Sequence, residues 1–273
     1  MGSEDSRLSK LLDKGYEIAS AQMGGAFGGI AGWILGGLPG AVIGGASAPL
    51  VEQVFRMIGG AGREVSRREL APREEQRVGA VLLYTAAQIK SHLDSGGSIR
   101  GDGFFLPDAT GRSKADEIAE AVLQSAQRDP EEQKLPYMGN IIVNLAIYPI
   151  LDANEAHHLI RVSNDLTYRQ LCVLGIAGGL ERGTKAYPLR SVAYRDRSVP
   201  VNVTQEIGIL LHEIYQLYNS FELINFGQVA VLGWGGITPA KMKIEGFGSD
   251  LYNHMNLERL PNSDLDVIAA RLK

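Results

Sequence analysis

Charge is missing from one long stretch of this chain. The sequence holds 27 Lys and Arg and 31 Asp and Glu, yet none of them falls between Ile18 and Val51. A membrane span needs about 20 apolar residues, and this stretch is long enough. Cysteine is almost absent. Cys172 alone excludes an internal disulfide framework and suits a reducing compartment. It lies in Leu171-Cys172-Val173-Leu174, which reads as a buried core thiol rather than a nucleophile. Net positive charge is lacking as well. A balance of −4 argues against a nucleic-acid binder driven by bulk electrostatics. The first residues also lack the pattern of a secretory signal, because Glu4, Asp5 and Asp13 stand where its basic region should be.

Catalytic motifs are scarce. Gly178 to Lys185 reads Gly-Gly-Leu-Glu-Arg-Gly-Thr-Lys, and no Lys-Ser/Thr pair follows its last glycine, so it is not a phosphate loop. His157 and His158 are adjacent and point to different sides of a helix, unlike the i,i+4 pair that shares a metal. His92, His212 and His254 are scattered, and no nucleophile has a base or motif around it. The expectation is a protein without enzymatic activity and without a metal or other cofactor.

What is there in abundance is glycine, at a fixed interval. Ser20, Gly24, Gly28, Gly32, Gly36, Gly40, Gly44 and Ala48 fall four residues apart. A second register runs beside them through Gly25, Gly29, Gly37 and Gly45. Residues four apart share one helix face, so the run describes a helix or two helices with one smooth edge. Each isolated glycine in a soluble helix costs about 1 kcal/mol against alanine. Close backbone approach is what offsets that cost, as small-xxx-small faces do in membranes. Pro39 reads as a turn, which divides the run into a hairpin. Trp33 is its one tryptophan, among sparse bulky residues.

The flanks are amphipathic and then basic. Leu8, Leu11, Leu12 and Ile18 alternate with Lys10, Asp13, Lys14 and Glu17, as in an amphipathic helix. Arg56, Arg63, Arg67 and Arg68 follow the apolar stretch, against Glu64 and Glu69. Basic residues in that position favour the cytoplasmic side and anionic lipid. A hairpin would leave both ends in the cytoplasm.

Residues 16–58 resemble the glycine-zipper segments of membrane-associated and pore-forming proteins. The resemblance implies a membrane-active effector, cytoplasmic with conditional or stable association with the inner membrane. Its hairpin would oligomerise with copies of itself and perturb the lipid bilayer, in the setting of bacterial toxic or anti-phage defence systems. Gly24, Gly28, Gly32, Gly36, Gly40, Gly44 and Trp33 would be the packing and membrane residues, and the four arginines the juxtamembrane basic ones. A sensor or regulatory protein is a further partner under that reading. The alternative is a soluble oligomeric adaptor that uses the same hairpin as its assembly interface.

The rest of the chain reads as mainly helical, with residues 73–180 as a helical domain behind an N-terminal unit of residues 1–60. Helices are expected over 73–94, from Ser113 to before Pro130, over 131–150 with an early interruption at Pro136, over 154–164, from the capping box Thr167-Tyr168-Arg169-Gln170 to Leu180, and from Thr204. Residues 181–203 are irregular. Arg182, Lys185, Arg190, Arg195 and Arg197 make their first part basic, which reads as a solvated loop, with contact to lipid headgroups, an acidic partner or a nucleotide as the alternatives. Toward the C-terminus, Leu223-Ile224, Gln228 to Leu232 and Lys241 to Glu245 look like short strands, with helices at 248–256 and 263–272. Residues 181–273 thus resemble a winged-helix α+β module. Its candidate recognition helix, 204–219, carries Glu206 and Glu213 and no Lys or Arg, so no specific nucleic acid is expected and a protein-interaction role is.

Overall fold

The computed structural model describes residues 3–23, 28–36, 48–149, 152–227 and 230–273. These residues are mainly helical, with one small sheet of two strands. The chain divides into two compact units, Met1–Asn164 and Asp165–Lys273.

The first unit is built around one buried helix. Its elements are α1 (Ser3–Met23), α2 (Gly28–Gly36), α3 (Ala48–Ser66), α4 (Pro72–Asp94), α5 (Lys114–Arg128), α6 (Leu135–Ile147) and α7 (Ala153–Asp165). Helix α4 is covered by α1, α5 and α6, and Val78 to Ala86 are buried all round it. Helix α1 is amphipathic as its spacing requires. Leu8, Leu11, Leu12, Ile18 and Ala19 are buried, while Lys10, Asp13 and Lys14 face outward. Local chemistry fixes the helix starts. Glu74 accepts the Ala71 N–H at 2.8 Å, and Ser113 and Asp116 cap α5 reciprocally, with the Ser113 Oγ accepting the Asp116 N–H at 3.1 Å. Pro136 does not interrupt α6. It sits in the first turn, where a missing N–H removes no helical bond. Just before α6, Lys134 and Asp129 form an ion pair at 2.5 Å with both side chains almost fully buried.

The second unit holds α8 (Tyr168–Glu181), α9 (Gln205–Asn219), β1 (Ile224–Asn225), β2 (Lys243–Ile244), α10 (Phe247–His254) and α11 (Asn262–Arg271). The Thr167 Oγ accepts the Gln170 N–H at 3.1 Å, and the Gln170 side chain accepts the Thr167 N–H at 2.9 Å. Cys172 is fully buried in α8, as its apolar neighbours require. Gly178 lies against the ring of Tyr252, and a Cβ there would come within 2.3 Å of it. β1 and β2 pair antiparallel, Ile224 with Ile244 and Asn225 with Lys243. The expected strand from Gln228 begins outside the described residues, and Ala230 to Leu232 form no strand.

Among the described residues, no helix is long and apolar enough to cross a membrane. The central part of the expected hairpin, with Gly24, Pro39, Gly40 and Gly44, lies outside them.

Candidate functional site

The described part of the glycine run is α2, nine residues without a single polar side chain other than the Trp33 indole. Bulk holds it to the unit from one side. Ile34 is 2% exposed, and Trp33 meets Phe55 of α3 edge-on at 5.4 Å between ring centroids. The Lys90 ammonium from α4 stands 5.0 Å from the Trp33 centroid, a cation–π contact. The end of α2 rests on α3 where the latter has no side chain: a Cβ at Gly59 would lie 2.7 Å from the Ile34 carbonyl oxygen.

Two glycines of α2 face the other way. Gly29 and Gly32 are exposed, and a Cβ built on either meets nothing within 4 Å. Among the described residues, Gly29 and Gly32 are therefore not used for packing inside this unit. Gly28 and Gly36 are the first and last residues of α2. Close glycine packing occurs elsewhere, at positions the four-residue register does not include. Gly15 of α1 and Gly79 of α4 touch backbone to backbone, and Gly62 of α3 receives Leu8 and Leu82. An isolated glycine in the middle of an amphipathic pattern, as at Gly15 and Gly79, was the available signal.

The four arginines after the glycine run are all engaged with carboxylates. Arg56 pairs with Glu52 at 2.7 Å within α3, and Arg63 with Asp5 at 3.0 Å across to α1. Arg67 binds Glu4 at 2.9 Å and Glu64 at 2.6 Å, and Arg68 binds Glu120 at 2.9 Å. The Glu4 hydrogen bond and charge raise the Arg67 guanidinium above its ordinary range. These pairs neutralise most of the local positive charge and tie α3 to α1 and α5.

Open cavities are lined by the described residues of this unit. One, of about 580 Å³, is lined by Arg7, Lys10, Arg67, Arg68, Glu69 and Glu75. The other, of about 540 Å³, is lined chiefly by Arg100, Asp102, Asp108, Lys114, Asp152 and Glu155. Several of its charged groups are already engaged. Arg100 grips Asp102 through two nitrogens, at 2.9 and 2.5 Å, and packs over the Phe104 ring at 4.2 Å. The hydrogen bond from Arg100 holds the Asp102 carboxyl below the usual range, and hydrogen bonds from Thr110 do the same for Asp108. Carboxylates held ionised in this way are poor proton donors at neutral pH. His157 and His158 are both exposed on α7. Among the described residues no cluster of three His, Cys, Asp or Glu could hold a metal ion.

No protein-family model, curated protein or solved structure matches this chain.

Proposed function

We propose that this chain acts by self-assembly through its glycine-rich segment, as an oligomeric adaptor or scaffold. One observation carries the reading: α2 is held by Trp33 and Ile34 from one side, while Gly29 and Gly32 are open on the other. A half-exposed helix of apolar residues and glycine lacks the polar face that stabilises a surface helix. Helix association through the glycine edge would supply the missing partner surface, and a second copy of the same edge is self-complementary about a two-fold axis. The cytoplasm is the proposed location. Residues 181–273, which resemble a winged helix, are proposed as an interaction module.

A second reading, the membrane-active effector, is favoured by the absence of charge from Ile18 to Val51. At about 1.5 Å per residue, nine residues cover about 14 Å, roughly half of a hydrocarbon core of about 30 Å. Bilayer perturbation would therefore require residues beyond α2 and several copies together.

Light scattering and cross-linking of the full chain, beside Gly29→Leu/Gly32→Leu, test the conclusion. The parent should be oligomeric, and the variant should shift toward monomer because its backbones can no longer approach. A monomeric parent, or a variant that assembles equally well, sinks the reading. Carbonate extraction and dye release from liposomes decide between the two settings: a carbonate-resistant, permeabilising oligomer is the effector, and an extractable, inert one is the adaptor.

A further inference from the structure

The second unit carries an apolar tip with an exposed cation, Arg195, tied beside it. Leu232 is 76% exposed, the highest value among the described large hydrophobic residues, and Trp234 is 43% exposed. The tip is held rather than loose. Val231 is buried, and its N–H reaches the Tyr218 hydroxyl at 3.3 Å. Leu232, the next residue, stands outward from this anchor, as its exposure shows. The neighbouring backbone is tied down as well: Arg195 donates its N–H to the Gly235 carbonyl at 2.7 Å, and Tyr194 to that of Ile237 at 3.3 Å. These bonds set the start of the 195–197 loop beside the tip. Arg195 and Arg197 are exposed, and neither has an ion-pair partner among the described residues. Asp196 between them turns its carboxylate to the Ser198 N–H at 2.9 Å, and hydrogen bonds from Ser198 hold it ionised below the usual range.

We infer that the Leu232–Trp234 tip, with Arg195 beside it and Arg197 two residues further along the same exposed loop, docks on an anionic lipid surface. A protruding Trp and Leu need a preformed pocket in a protein partner, whereas a bilayer interface yields to them. Trp prefers headgroup depth, Leu the acyl boundary, and guanidinium groups the anionic headgroups. The charge excess is small, one positive unit over residues 195–197, so the contact is shallow and reversible and the apolar pair is its main anchor.

Trp33 and Trp234 are the two tryptophans, so Trp33→Phe leaves Trp234 as the reporter. The full chain with that change is titrated with phosphatidylcholine vesicles, with and without phosphatidylserine. Trp234 emission should move to the blue and strengthen, with phosphatidylserine increasing the affinity. Adding Leu232→Ser should lower the affinity about tenfold. Arg195→Gln and Arg197→Gln should each lower it about fivefold on the anionic vesicles alone. Both arginines are exposed, so these variants keep the test open should Leu232→Ser misfold. The inference fails if Trp234 emission is unchanged while the protein sediments with vesicles, because the N-terminal segment then does the binding. It fails equally if the shift ignores phosphatidylserine, or if polyglutamate elicits it and vesicles do not, which would mark the tip as a site for an acidic protein.

Discussion

Gly15 and Gly79 meet where α1 crosses α4, with no side chain between the two backbones. A Cβ on Gly15 would stand 2.1 Å from the Gly79 carbonyl carbon, and one on Gly79 only 1.9 Å from the Leu11 carbonyl oxygen. Backbone cannot turn aside as a flexible side chain can. The crossing distance of α1 and α4, and with it the burial of Leu8, Leu11 and Leu12, depends on these two positions.

Gly79→Ala should therefore destabilise the first unit by about 3 kcal/mol, the upper end of overpacking penalties. Gly15→Ala should behave alike. Gly29→Ala and Gly32→Ala meet open space and gain helix propensity, so they should be neutral or stabilising by up to about 1 kcal/mol each. Denaturant unfolding of the four variants checks both statements. Equal losses at all four positions would show that the crossing is not the discriminating contact.

Lys134 and Asp129 are buried together, with 2% and 6% of their side chains exposed. Lys134→Met leaves the Asp129 carboxylate without its partner, and a loss of about 3–5 kcal/mol is expected. Combining it with Asp129→Asn removes the orphaned charge and should restore much of that loss. A double-mutant cycle from urea titrations reads the coupling, and additive losses would contradict it.

Burial holds the His254 imidazole below its ordinary value of 6.5, against a smaller opposite effect from Asp250. The folded state keeps His254 neutral while the unfolded chain takes up a proton. Stability of the second unit should thus be full above about pH 7 and decline as pH falls through about 6.5 toward the depressed value. His254→Gln should flatten that slope. Denaturation midpoints measured across this range test the sign, and a midpoint that rises on acidification would reverse it.

A chain beginning at Pro72 would lack α1, α2 and α3. It would uncover the face of α4 against which α1 packs with Leu8, Leu11 and Leu12 buried. The first unit should lose its cooperative thermal transition and bind a hydrophobic dye, while a chain beginning at Leu166 should melt cooperatively. Calorimetry of both chains decides, and a sharp transition of native enthalpy in the unit that begins at Pro72 would show that the N-terminal helices are dispensable.

The sequence by itself determined most of the helices and their starts. Capping pairs such as Ser113 with Asp116 and Thr167 with Gln170 act within one turn, so the information lies in adjacent residues. The inward stripe of α1 and the burial of Cys172 were legible for the same reason, since a 3.6-residue period and an apolar neighbourhood are local properties. Pro136 was read as a break because proline's effect depends on whether it stands inside a helix or in its first turn, and α6 begins at Leu135, which places it in the first turn. The four-residue glycine register was visible, but not the direction in which it faces. That direction is fixed by Trp33 on Phe55 and Ile34 over Gly59, contacts between segments distant in the chain. Only tertiary structure decided that the close glycine crossing is Gly15 with Gly79, that Arg56, Arg63, Arg67 and Arg68 are spent on carboxylates, and that Leu232 and Trp234 stand outside beside Arg195. Each of these depends on which surfaces of remote elements meet, and periodicity along one segment carries no record of its partner.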